Sequence, residues 1–227
     1  MIRNIELTDI SDGKLYKNKD FVLAGCGKCD GCSKCCRDTA DTIILDPYDM
    51  YNLYKGTSKT FTDMIEKEIE IRMVDNLILP NLLIHNEIEA SEDGCAFLDE
   101  KGMCSIHEYR PGLCRLFPLG RYYDESGMSY FLQTNECMLD EKDRYEVRIK
   151  DFLGIKNIEQ YEKYIINWHD FCKKQNNRLD GFGKEKREKM ARLILQIFYV
   201  EPYALNKSFF DQIDNRFKFF EEKYGGI

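Results

Sequence analysis

The chain has 227 residues, of which 43% are apolar, with 14 Phe and 14 Tyr, so a core is attainable without crosslinks. Its net charge of −7 argues against nonspecific binding to nucleic acid or to an anionic membrane, because phosphate contacts need a basic surface. The opening residues lack the apolar segment of a secretory signal, and no run of 18 apolar residues occurs, so a cytoplasmic protein without a transmembrane helix is expected.

In chain order, residues 1–25 read as a short strand and a loop. They lead into CGKCDGCSKCC, Cys26 to Cys36, which holds five of the ten cysteines. Thr42–Leu45 is a short apolar run that suits a strand. Asp46 then fits an N-cap, Pro47 the first helical position and Asp49 the third, with Gly56 as the expected terminator. A second helix is expected over residues 60–67. Alternation over 69–74 predicts a half-buried strand, and Asp75-Asn76 turns it into a strand over 77–84 that Pro80 assigns to a sheet edge. Residues 85–94 are acidic and loop-like. Residues 96–98 and 103–106 flank DEKG, a hairpin signal with Gly102 left-handed, so Cys95 and Cys104 at its ends could converge. Pro111 starts a short turn or helix carrying Cys114, and a second hairpin follows over 120–133. From about Glu141 the pattern turns helical. Apolar residues recur every three or four positions at Ile158, Tyr161, Ile165, Trp168 and Cys172, then at Met190 to Ile197, then at Phe209 to Phe220. Three amphipathic helices are expected over 157–222.

In a reducing compartment, so many thiols point to metal ligation rather than to disulfides. Cys26, Cys29, Cys32 and Cys36 have the ferredoxin spacing C-x2-C-x2-C-x3-C, although Arg37 stands where ferredoxins carry proline. A second register, Cys29, Cys32, Cys35 and Cys36, is also available. Structural zinc usually takes paired C-x2-C knuckles, and no second knuckle follows. Nine thiols also exceed what one zinc takes, and two four-cysteine sites would use eight of them; soft thiolate-rich sites suit both metals, and one or two iron–sulfur clusters, [4Fe-4S] in type, are expected, with zinc as the alternative.

Cys172 falls on an apolar stripe and reads as core. His107 lies three residues after Cys104 and is the one histidine with a case as ligand or donor to a ligand. His85 and His169 read as ordinary residues. Arg110, Arg115 and Arg121 surround Cys114. Ion pairing with nearby carboxylates is the expected explanation, and charge compensation of a thiolate centre is the sharper one. Asp46 and Asp49 need no role beyond capping. The radical S-adenosylmethionine spacing, GxGxxG, the P-loop, HExxH and GxSxG are all missing.

With these residues in view, the chain resembles the CxxCxxCC (YkgJ-type) cysteine-cluster family, whose assigned role is zinc or iron chelation and which includes flagellin lysine N-methylases. The resemblance runs from Cys29-x2-Cys32-x2-Cys35-Cys36 through LDPYD (45–49) and CAFLDEKGMCSIHEYRPGLCRLFPLGR (95–121) to YFLQTNEC (130–137). It implies metal binding at Cys29, Cys32, Cys35, Cys36, Cys95, Cys104, Cys114 and Cys137. Cys26 joins this set on its ferredoxin-like spacing.

The expected fold is α+β, with short antiparallel hairpins around a cysteine-ligated centre over residues 1–140 and a helical segment over 141–227. The expected function is an iron–sulfur protein with a redox, sensing or accessory role. One alternative is an S-adenosylmethionine-dependent protein lysine N-methyltransferase, which the resemblance alone motivates. Another is a structural zinc module presenting its helices to a partner. The expected partner is a protein or a protein substrate rather than nucleic acid or membrane.

Overall fold

A computed structural model describes residues 6–26, 32–38, 42–65, 67–85, 94–134, 137 and 141–226. The fold is α+β, with helices and four two-stranded antiparallel sheets. A helical turn α1 (Leu7–Ile10) precedes β1 (Phe21–Cys26). A short helix α2 (Lys34–Asp38) follows the first cysteines.

Next comes α3 (Pro47–Thr57), opened as the sequence predicts. Asp46 Oδ1 accepts from Asp49 N at 3.0 Å and Asp49 Oδ2 accepts from Asp46 N at 3.0 Å, a reciprocal box that satisfies two otherwise orphaned amides. Gly56 does not end this helix. Ser58, left-handed at φ 56°, does so, and its N–H bonds Tyr54 O. Gly56 lies inside the helix because Tyr109 packs on it, and a Cβ there would meet that ring at 2.8 Å. The second helix, α4 (Phe61–Met64), is shorter than expected, with Thr60 as its N-cap.

The next hairpin is β2 (Ile69–Val74) and β3 (Leu77–Leu82), turned at Asp75 with φ 53°. Pro80 sits opposite Ile71 in this two-stranded sheet. The apolar run 42–45 is not a regular strand. It lies along β3, where Leu45 N bonds Pro80 O at 2.9 Å and Leu82 N bonds Ile43 O at 3.0 Å. Two-residue strands β4 (Ile84–His85) and β5 (Gly94–Cys95) pair next. The acidic loop between them falls largely outside the described residues.

The DEKG segment closes a tight turn with a single bridge, Leu98 to Cys104, rather than a full hairpin, and Gly102 is left-handed as expected at φ 73°. Helix α5 (Gly112–Leu116) carries Cys114. The second expected hairpin is β6 (Leu119–Asp124) and β7 (Gly127–Leu132).

One expectation fails after Glu141. The chain there forms β8 (Arg144–Arg148), which pairs antiparallel with β1, Cys26 standing opposite Arg144 and Phe21 opposite Arg148. The pattern RYEVR alternates, and its partner lies more than a hundred residues back, so no local periodicity announces it. Helices α6 (Ile149–Leu153), α7 (Ile158–Asp180), α8 (Lys184–Leu195) and α9 (Phe209–Tyr224) follow, with a π turn at Gln196–Val200.

The expected stripe on α7 is buried at Ile158, Tyr161, Ile165 and Trp168, joined by Tyr164 and Leu179. Each such side chain stabilises the fold by roughly 1.5–3 kcal/mol. Buried apolar residues from Val22 to Phe220 make one core cluster. Buried hydrogen bonds seat the helices on α3: Tyr54 Oη donates to Tyr199 O at 2.8 Å, and Tyr199 Oη to Leu45 O at 2.9 Å.

Candidate metal centre

Four separate pieces of backbone bring thiols together. Helix α2 carries Cys35 and Cys36, β5 carries Cys95, the tight turn ends at Cys104, and α5 carries Cys114. Helix α2 packs on β5. Each of these five thiols shifts the ionisation of others in the set. The Cys36 thiol donates to Cys35 and, with Arg110 nearby, holds the Cys35 thiol down at about 6, while Cys36 is pushed up in return. Burial pushes Cys95 up to about 11, with Cys104 and Cys35 adding to it. Burial also raises Cys104, and it drives Cys114 well above the thiol range, helped by Cys95 and Asp49.

This is the electrostatics of a donor set that wants a cation. Clustered thiolates repel in a low-dielectric site, and a bound metal reverses that logic by taking them deprotonated. The donor set therefore fits a soft metal ion or an iron–sulfur cluster. The thiols gather in one region without closing on a point. Among the described residues no group of three or more His, Cys, Asp or Glu side chains stands ready to hold an ion. Cys29, common to both registers of the opening run, lies outside the described residues, and Cys26 is described in its backbone alone. Cys32 is exposed. Cys137 is half-buried at the approach to β8, where its carbonyl accepts from Arg144 Nη2 at 3.1 Å. It is not among the groups acting most strongly on the five clustered thiols.

A family model described as "CxxCxxCC: Putative zinc- or iron-chelating domain" matches residues 28–136. Residues 28–136, a little under half of the chain, are thus similar to a CxxCxxCC domain. No curated protein and no solved structure matches the chain.

The arginines of this region overturn the simpler expectation. Among the described residues, none of Arg110, Arg115 and Arg121 has a carboxylate within ion-pair distance. Arg110 faces the thiols, and its charge favours the ionised forms of Cys35 and Cys104. Arg115 spends its guanidinium on backbone carbonyls, including Arg110 O at 3.1 Å and Glu108 O. Arg121 Nη2 donates to Tyr161 Oη at 2.6 Å.

The histidines fall out differently. His107 Nε2 accepts from Arg110 Nη1 at 2.8 Å, which engages the lone pair that a metal would need. His169 stacks on Tyr123 at 3.9 Å and bonds Asp170, a satisfied histidine as expected. Cys172 packs against the core, and burial raises its thiol.

Sequence reasoning missed the second role of LDPYD in this region. Both aspartates are buried. Asp49 Oδ1 accepts from Gly112 N at 2.7 Å, so a side chain on α3 caps the helix that carries Cys114. Pro111, at the N-cap of that helix, supplies no side-chain cap of its own. Gly112 permits this approach, because a Cβ there would sit 2.3 Å from Tyr161 Oη and 3.5 Å from Asp49 Oδ1. Asp46 Oδ1 accepts from Tyr164 Oη at 3.0 Å, which ties the same corner to α7. Burial raises both carboxyls, and the neighbouring Asp46 charge helps bring Asp49 to about 8. The available signal was two acids in one capping motif beside a Pro-Gly-x-Cys.

Proposed function

We propose that the CxxCxxCC-like region holds an iron–sulfur cluster, [4Fe-4S] in type, and that the protein has a redox, sensing or accessory role. The carrying observation is the gathering of five thiols from four backbone elements beside an arginine with no carboxylate partner among the described residues. Cys35, Cys36, Cys95, Cys104 and Cys114, with Cys26, Cys29 and Cys32 of the opening run and Cys137, would supply the ligands, enough for one or two clusters of four thiolates each. One tetrahedral zinc uses four thiolates and so does one [4Fe-4S] cluster, so nine cysteines leave room for a second centre. A thiolate-ligated centre carries net negative charge, which a guanidinium at the position of Arg110 offsets.

When bound, an iron–sulfur cluster supplies one-electron transfer. The protein's own residues set the conditions. Arg110 stabilises the thiolates of Cys35 and Cys104, Asp49 fixes the start of the Cys114 helix, and burial of Cys95 limits solvent access there.

Anaerobic purification followed by iron and acid-labile sulfide analysis tests the proposal, with Mössbauer spectra giving the cluster type. A brown protein containing iron and sulfide is expected. A colourless protein with stoichiometric zinc and no sulfide would sink it and leave the structural zinc reading. Labelled S-adenosylmethionine, offered with flagellin as acceptor, separates both from methyl transfer.

A further inference from the structure

A cavity of about 560 Å³ adjoins the thiols, four of which line it. That volume lies in the range of organic-ligand sites. The rest of its wall is mainly apolar, including Ile10, Ile44, Leu113, Phe117 and Phe131. Thiols apart, the lining holds one charged side chain, Arg121. Its Nε is buried without a hydrogen-bond partner, while Nη2 is held by Tyr161. Among the described residues no carboxylate stands within ion-pair distance of it. Asp46 acts on it only at longer range, with Oδ1 already taken by Tyr164 and two backbone amides. A buried guanidinium with a spare N–H in an apolar wall is complementary to one chemistry: an acid group on an apolar body.

We infer that this cavity binds an apolar monocarboxylic acid, its carboxylate accepting from Arg121 Nε and its body lying along Ile44, Leu113 and Phe131. The site places such a molecule beside the thiol centre. It rests on the cavity and on Arg121, whichever metal the thiols hold.

The test titrates the protein as purified, with its metal, against decanoate and decan-1-ol by calorimetry. Decanoate is expected to bind at one site about tenfold or more tighter than decan-1-ol, the difference a charge-assisted hydrogen bond supplies. Arg121→Gln should erase that preference and leave the alcohol's affinity alone. Ile10→Trp, at a half-buried lining position, should weaken both ligands by narrowing the cavity. Equal affinity of acid and alcohol for the wild type overturns the inference, as does a preference that survives Arg121→Gln. If Arg121→Gln does not fold, the wild-type ratio and Ile10→Trp decide: loss of decanoate binding in Ile10→Trp supports the site, and unchanged binding removes it. Metal analysis on the same samples keeps the two proposals separate. Metal without decanoate binding sinks this one alone, and decanoate binding without metal sinks the other alone.

Discussion

Asp49 gives the sharpest test of how the centre is held. Its carboxylate accepts from Asp46 N at 3.0 Å and from Gly112 N at 2.7 Å, and Asp49 is 1% exposed. Asp49→Ala leaves both amides buried without an acceptor. Each orphaned donor costs about 1–3 kcal/mol, so the loss should total roughly 2–6 kcal/mol. Removing a buried carboxyl relieves some desolvation, which places the result toward the lower end. Asp49→Asn keeps the shape and one acceptor oxygen, so it should cost about half as much. Denaturant unfolding gives the stability change, and the metal-to-protein ratio after desalting gives the second readout. Both variants should lose metal in the order Ala before Asn, because the Cys114 helix loses its cap. Stability within about 0.5 kcal/mol of wild type, with metal content unchanged in Asp49→Ala, would refute the reasoning.

Other expectations concern the same region. Gly112→Ala puts a Cβ 2.3 Å from Tyr161 Oη and should destabilise by about 1–3 kcal/mol, read as a lower urea midpoint with lowered metal content. Cys114→Ser should lower metal content sharply, whereas Cys172→Ser should leave it at the wild-type level; equal ratios in the two variants would contradict the placement of Cys114 in the centre. Asp49 titrates near 8 in the fold against an ordinary 3.8, so its proton is held more tightly by the folded chain. Its contribution to stability is therefore full below about 4 and is lost as pH rises toward 8. Asp46, Tyr48, Cys114, Arg115, Arg121, Tyr161 and Tyr199 act on it, and Asp46 shifts in the same direction. Asp49→Asn should flatten the fall in urea midpoint between pH 5 and pH 8, and an unchanged slope would count against this assignment.

What the sequence disclosed depended on how far apart the partners lie. The N-cap at Asp46, the Cys114 helix after Pro111, the 69–82 hairpin and the stripe on α7 rest on neighbours within a few residues, and each was legible. Gly56 misled because a glycine near a helix end is usually its terminator, and here it makes room for Tyr109 instead. The bond from Asp49 to Gly112 spans 63 positions, and the ladder between β1 and β8 spans more than a hundred. Neither carries a local pattern. The thiols could be read as a candidate metal set from their number and spacing. Which of them converge was not, because that depends on how α2, β5 and α5 pack.

The pairing of β1 with β8 has a practical consequence for dissecting the protein. The family match ends at residue 136, and the strand that covers β1 begins at Arg144. A fragment of residues 1–136 would leave the backbone groups of Phe21–Cys26 unpaired, where the first cysteine run opens. An open edge of that kind recruits other chains, and a thiol-rich segment attached to it offers oxidation as a second route to aggregates. The same core continues from Ile149 to Phe220, so a boundary drawn at 136 cuts through the folding unit, and poor behaviour of such a piece would report the missing strand and helices rather than a missing metal.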